Sequence, residues 1–239
     1  MGTSTGYDLP TTGNWPDVKR NATALGRTGT TDSFQTGRLM NGYVQAQGGA
    51  TAVAHQMATA NRTGGKLGGL FSGIRGNGLQ RTLEDIGLGN LVGKSASEVM
   101  RGLIDYLIVS DSLLDEALVR EAFQDYRDEV IGKCDTYEEL DTILSRLSIM
   151  DSIGENVKRF FGFFVFCKFR RDFKEQLMRV AKNIRTSNKL LKSIKVYIFG
   201  RVNNLTLEKD YKEINWRGKE GMQLAEEIQA SAWRVFGEQ

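Results

Sequence analysis

Phe169, Phe173, Leu177, Val180, Ile184, Leu191, Ile194 and Ile198 recur at steps of three and four residues, with Ser187 in the one gap. That period belongs to one face of an α-helix, and no β-strand produces it. At about 100° per residue the eight positions share an arc of roughly 100°. Arg171, Lys174, Lys182, Arg185, Lys189 and Lys192 fall on the opposite side. If unbroken, such a helix is roughly 45 Å long, buried along one edge and basic along the other.

Similar signals fill the chain after Gly93. Ser95-Ala96-Ser97-Glu98 and Thr136-Tyr137-Glu138-Glu139 have the spacing of capping boxes, and each precedes an apolar-periodic segment. Val119, Phe123, Tyr126 and Val130 mark another helical face, and Met222, Ala225, Ile228, Ala232 and Val235 a terminal helix. Strand-like alternation is confined to Lys195–Phe199. The expected class is all-α, an irregular helical bundle.

The first part of the chain is different. Nineteen of the twenty-seven glycines lie between Gly2 and Gly93, and both prolines fall within the first sixteen residues. Residues 1–33 read as an extended N-terminal arm, with a short helix over Asp17–Leu25 that Asn14 would cap. Residues 34–93 read as short helical stretches, such as Ala50–Ala60, interrupted by Gly64-Gly65 and Gly68-Gly69. Close packing and flexibility both account for these glycines. Residues 94–239 form the helical domain.

The net charge of +3 hides a segregation. Residues 1–80 carry seven basic and three acidic side chains, residues 81–156 seven and seventeen, and residues 157–239 eighteen and nine. The acidic middle and the basic C-terminal part could compensate each other or offer opposite faces to separate partners. The preferred reading of the basic ridge between Lys168 and Lys195 is a solvated face, or a docking surface for the acidic helices between Glu84 and Glu155. No aromatic residue interleaves the ridge to stack bases, so a nucleic-acid-binding module is the alternative.

Catalytic chemistry has little to work with. His55 is the only histidine, so no Ser-His-Asp or Cys-His arrangement exists beyond it. Cys134 and Cys167 lack Cys-x-x-Cys spacing, and Asp125, Asp128 and Glu129 lack the spacing of a metal loop. Gly93-Lys94-Ser95 imitates the end of a phosphate-binding loop, but Leu88 stands where the first glycine is required. The longest apolar run, Phe160–Cys167, is too short to span a bilayer and reads as core. The expectation is a cytoplasmic protein that is no enzyme, holds no metal or cofactor and binds no membrane.

At the tip, Gly2 follows the initiator Met, whose removal is expected because glycine is so small. A free glycine α-amine titrates near neutrality, so part of it is uncharged and nucleophilic. The lack of a Cβ admits it to narrow passages. The run Gly2-Thr3-Ser4-Thr5-Gly6-Tyr7-Asp8-Leu9-Pro10-Thr11-Thr12-Gly13-Asn14-Trp15-Pro16 resembles the start of the QatB family, from the Qat anti-phage defence systems of bacteria. The likeness continues loosely through a stretch ending in Gly87-Leu88-Gly89-Asn90-Leu91-Val92-Gly93-Lys94-Ser95. The C-terminal half is placed by its helical character only.

Qat systems combine an ATPase, QatB, a QueC-like enzyme (QatC) and a TatD-like nuclease. QueC enzymes activate the carboxylate of a 7-deazaguanine with ATP, and an amine then attacks the acyl adenylate. The resemblance thus implies a protein substrate or scaffold that binds the QueC-like enzyme, with contacts to the ATPase and nuclease. It implies that Gly2 supplies the attacking amine, with Thr3, Ser4 and Thr5 extended in the active-site tunnel. Tyr7, Leu9 and Trp15 would anchor the arm outside that tunnel.

Overall fold

The computed structural model describes residues 14–110, 112–150, 153–206 and 214–237. Among these residues there are ten α-helices and no strand, the all-α class the periodicity predicts. They are α1 (Trp15–Thr28), α2 (Ser33–Ala46), α3 (Ala50–Gln56), α4 (Ala58–Asp85), α5 (Ala96–Leu107), α6 (Leu113–Tyr126), α7 (Tyr137–Met150), α8 (Ile153–Val180), α9 (Ile184–Asn203) and α10 (Lys219–Gly237).

Helix ends follow local chemistry. Both anticipated capping boxes form. The Ser95 hydroxyl accepts from the Glu98 N–H at 3.4 Å, while Glu98 accepts from the Ser95 N–H. Thr136 accepts from the Glu139 N–H at 3.2 Å. A third box, Asp32 with Gln35, opens α2. The first helix departs from expectation, because it runs from Trp15 to Thr28 and the Asn14 side chain makes no cap bond. Pro16 sits in its first turn, where a missing N–H is harmless. Gly29 ends it at φ 70°, a left-handed conformation that returns an N–H to the Leu25 carbonyl.

The chain forms two compact units, each assembled from separated segments. The first comprises Met1–Gln56, Val165–Leu205 and Ala230–Gln239, the second Met57–Phe164 and Thr206–Gln229. Helices α8 and α10 each contribute residues to both.

In the first unit α1 packs on α2 and α9. Its core joins Val18, Ala22 and Leu25 of α1, Leu39, Met40 and Tyr43 of α2, and Phe169, Phe173 and Leu177 of α8. The long helix expected over Phe169–Ile198 is broken. It stops at Val180, and α9 starts afresh at Ile184 with the Asn183 side chain accepting from the Thr186 N–H at 2.8 Å. Past the break the apolar stripe continues nearly in phase. Ser187, Leu190, Leu191, Ile194, Ile198 and Val202 turn inward, and Ile184 is left 65% exposed. Lys195–Phe199, the strand-like run, is part of α9.

In the second unit α4 packs chiefly on α7 and also on α5 and α6. The paired glycines do not interrupt it. They lie in the helical segment of α4 before Gly78, whose non-helical φ and ψ kink the element there. Close packing is their purpose. A Cβ on Gly64 would stand 2.6 Å from the Phe161 ring, one on Gly65 2.5 Å from the Met222 sulfur, and one on Gly68 inside the Trp216 ring. Gly68→Ala is therefore expected to destabilise the protein by about 1–3 kcal/mol through overpacking against a rigid indole. Gly76→Ala, exposed and with nothing near its Cβ, should instead stabilise α4 by about 0.4–1 kcal/mol. Opposite shifts of the urea midpoint would check the pair.

Candidate functional site

Gly2, Thr3, Ser4, Thr5, Tyr7 and Leu9 lie outside the described residues; Trp15 lies within them. Trp15 is only 6% exposed. Its ring centroid is 5.3 Å from Phe173 and 6.2 Å from Tyr43, and the Lys19 ammonium lies 5.7 Å from its centre. Tyr43 also meets Phe169 and Phe173 edge-on at 5.6 Å each. The point where the arm joins the body is therefore fixed in the body's own aromatic core.

Beneath those rings lies a polar cluster that the sequence did not reveal. The Tyr43 hydroxyl donates to Asp172 Oδ2 at 2.5 Å, and the Gln47 amide donates to the same oxygen at 3.4 Å. Lys168 Nζ stands 3.5 Å from it, one helical turn back along α8. The Lys168 and Asp172 side chains are 2% and 0% exposed. A charge so deeply buried persists only when paired and hydrogen-bonded. Lys168 accordingly leaves the basic ridge to which its position in the sequence assigns it.

The remaining ridge is shorter than its sequence suggests. Lys174 on α8, Lys182 between the helices, and Arg185, Lys189 and Lys192 on α9 are exposed, whereas Arg171 and Lys195 are half-buried. The Lys195 ammonium lies 5.5 Å from the ring centres of both Phe166 and Phe199. Ile184, Arg185, Asn188, Lys189 and Lys192 line an open depression of about 530 Å³.

The other chemistry-bearing residues stay dispersed. His55 is exposed on α3, and Cys167 is buried in α8. Burial, then the charges of Glu139 and Asp135, push the Cys134 thiol pKa up, the reverse of an activated nucleophile. Among the described residues no group of three or more His, Cys, Asp or Glu side chains could hold a metal ion. No described helix is long and apolar enough to cross a membrane. Gly93-Lys94-Ser95 follows a 3₁₀ turn at Gly89–Leu91 rather than a strand, and Ser95 is engaged as a cap. That settles its purpose as helix initiation.

Residues 48–236 match the family described as Qat anti-phage system associated protein QatB. The chain belongs to the QatB family. Membership makes it a component of an anti-phage defence system, associated with other Qat proteins. The match begins at Gly48 and so rests on the helical body rather than on the opening residues that carry the resemblance to QatB. No curated protein and no solved structure matches the chain.

Proposed function

We propose that this QatB-family chain is a non-catalytic, cytoplasmic partner of the QueC-like enzyme of its system and presents Gly2 in that enzyme's active site. The enzyme would activate the carboxylate of a 7-deazaguanine as an acyl adenylate, releasing pyrophosphate from ATP. The Gly2 amine then attacks the acyl carbon, an amide bond forms, AMP departs and the amine proton passes to solvent. No protein cofactor is required of this chain. The helical body provides the docking surface, and the Qat ATPase and TatD-like nuclease are further partners.

One observation carries this reading. A tip of small residues, Gly2-Thr3-Ser4-Thr5-Gly6, precedes a root, Trp15, that is locked between Phe173 and Tyr43. The thirteen residues from Gly2 to Asn14 can span at most about 43–47 Å. A buried root gives that reach a defined origin. Thr3, Ser4 and Thr5 offer backbone and hydroxyl hydrogen bonds to a narrow passage without bulk. The test is intact mass of chain co-produced with its QueC-like partner. The expected result is an N-terminal peptide, lacking Met1, heavier by one 7-deazaguanine acyl group. An unshifted peptide in cells actively resisting phage overturns the proposal.

A further inference from the structure

We infer that the exposed face of α9 is a binding site for the phosphate backbone of duplex nucleic acid. The inference stands apart from the arm and does not depend on its modification.

Helix α9 contains no acidic residue, although it carries Arg185, Lys189, Lys192, Lys195 and Arg201. Among the described residues none of Lys182, Arg185, Lys189 and Lys192 forms an ion pair. Three cations of the second unit are instead paired with carboxylates. Arg120 pairs with Asp105 and Glu116, Arg81 with Glu84 and Asp85, and Arg127 with Asp128. The positive potential of the α9 face is left uncompensated, and the N-terminal end of the helix dipole adds to it beside Lys182 and Arg185.

The face is also held in one orientation. Ser187, Leu190, Leu191 and Ile194 are buried on the reverse side, and the Asn183 cap fixes the first turn. A Cβ on Gly29 would collide with Thr186, so the end of α1 abuts the same turn. Arg185, Lys189 and Lys192 stand at i, i+4 and i+7, about 10 Å from first to last along the axis. That length equals the axial rise across about three phosphates of one strand. Asn188 adds an amide donor within the depression.

The residue types choose among polyanions. Lysine is depleted from the buried centres of protein interfaces, which need desolvated aromatic or apolar anchors. Ile184 is the sole apolar residue lining the depression. Backbone phosphates ask only for solvated point charges, which lysine supplies. No aromatic residue lines the depression to stack an unpaired base, which favours a duplex over a single strand. Arg185 lies at the far end of α1 from Trp15, about 20 Å away along the helix, so the arm and a duplex can be engaged together.

The experiment is fluorescence anisotropy of the full chain against a labelled 20-base-pair DNA duplex of arbitrary sequence, from 50 to 200 mM salt. Four phosphate contacts predict a log–log slope of about −3.6, a loss of roughly 100-fold across that range. Lys189→Gln should reduce the slope by about one. Lys182→Gln, Arg185→Gln, Lys189→Gln and Lys192→Gln combined should abolish binding with an unchanged helical circular dichroism signal. Arg101→Gln with Lys133→Gln, exposed in the second unit, should leave it intact. The inference is overturned by absent or salt-independent duplex binding, or by binding that survives the fourfold replacement. It is equally overturned if single-stranded DNA, poly-glutamate or phosphatidylserine vesicles bind more tightly than the duplex.

Discussion

Asp172→Ala is expected to destabilise the first unit by about 3–5 kcal/mol, the range for breaking a buried ion pair from one side. The substitution takes the carboxylate away from an ammonium 3.5 Å distant on a side chain 2% exposed. It also strips the Tyr43 hydroxyl of its 2.5 Å acceptor amid packed aromatic rings. Lys168→Met leaves the opposite charge behind and should cost a similar amount. The double variant Lys168→Met, Asp172→Leu should recover most of either loss, because two apolar side chains of comparable volume need no countercharge. A double-mutant cycle by urea unfolding checks this, and strict additivity of the single effects would refute a coupled pair. Tyr43→Phe should cost less, about 1–3 kcal/mol, since it removes one bond from a carboxylate that keeps Gln47 and Lys168.

Features of this fold that depend on neighbours a few residues apart were readable in the chain; those that depend on distant partners were not. The boxes at Ser95–Glu98 and Thr136–Glu139 need three residues each, and both formed where expected. The helix break before Ile184 was also local. Asn183, with a cap acceptor poised for the Thr186 N–H, marks it, but the apolar period on either side happens to stay nearly in phase and conceals it. The glycine pairs of α4 show the other case. Whether Gly64 or Gly68 interrupts a helix or lets another element approach depends on Phe161 and Trp216, far along the sequence. Asp172 is the extreme example. One acid among lysines and arginines resembles a surface charge, and Tyr43 and Gln47, 129 and 125 residues away in sequence, make it a core group. The two units likewise escape any linear reading, since each is assembled from separated segments. For the candidate site, the exposed cations of α9 were visible as one stripe. Lys168 was miscounted with them because helical periodicity assigns a face without saying which helices cover it.

Gly2→Trp is expected to abolish phage protection, with plating efficiency rising to that of cells lacking the system, while the folded body is unaffected. The separation follows from where the body begins. Trp15 closes the core of α1, and Gly2 lies thirteen positions before it in sequence, so the substitution replaces none of the described buried residues of the first unit. A large second residue also prevents removal of Met1, which under the proposed role of the arm would put the wrong amine at the reacting position and an indole in the passage. Gly2→Ala provides the graded control. Alanine still permits Met1 removal and offers an α-amine of similar basicity, but its Cβ would add bulk in the proposed passage. Protection should fall without vanishing, and the N-terminal peptide should show reduced modification in proportion. Trp15→Ala acts on the same outcome through the other end of the arm. It should cost about 3–5 kcal/mol by emptying the space beside Phe173 and Tyr43. Trp15→Phe, which retains an aromatic ring, should restore most of the stability and the modification. Full protection by Gly2→Trp would refute presentation of this glycine, whatever the fate of the Trp15 variants. Loss of modification in Trp15→Ala, with thermal unfolding still well above the growth temperature, would instead locate the origin of the arm at that indole.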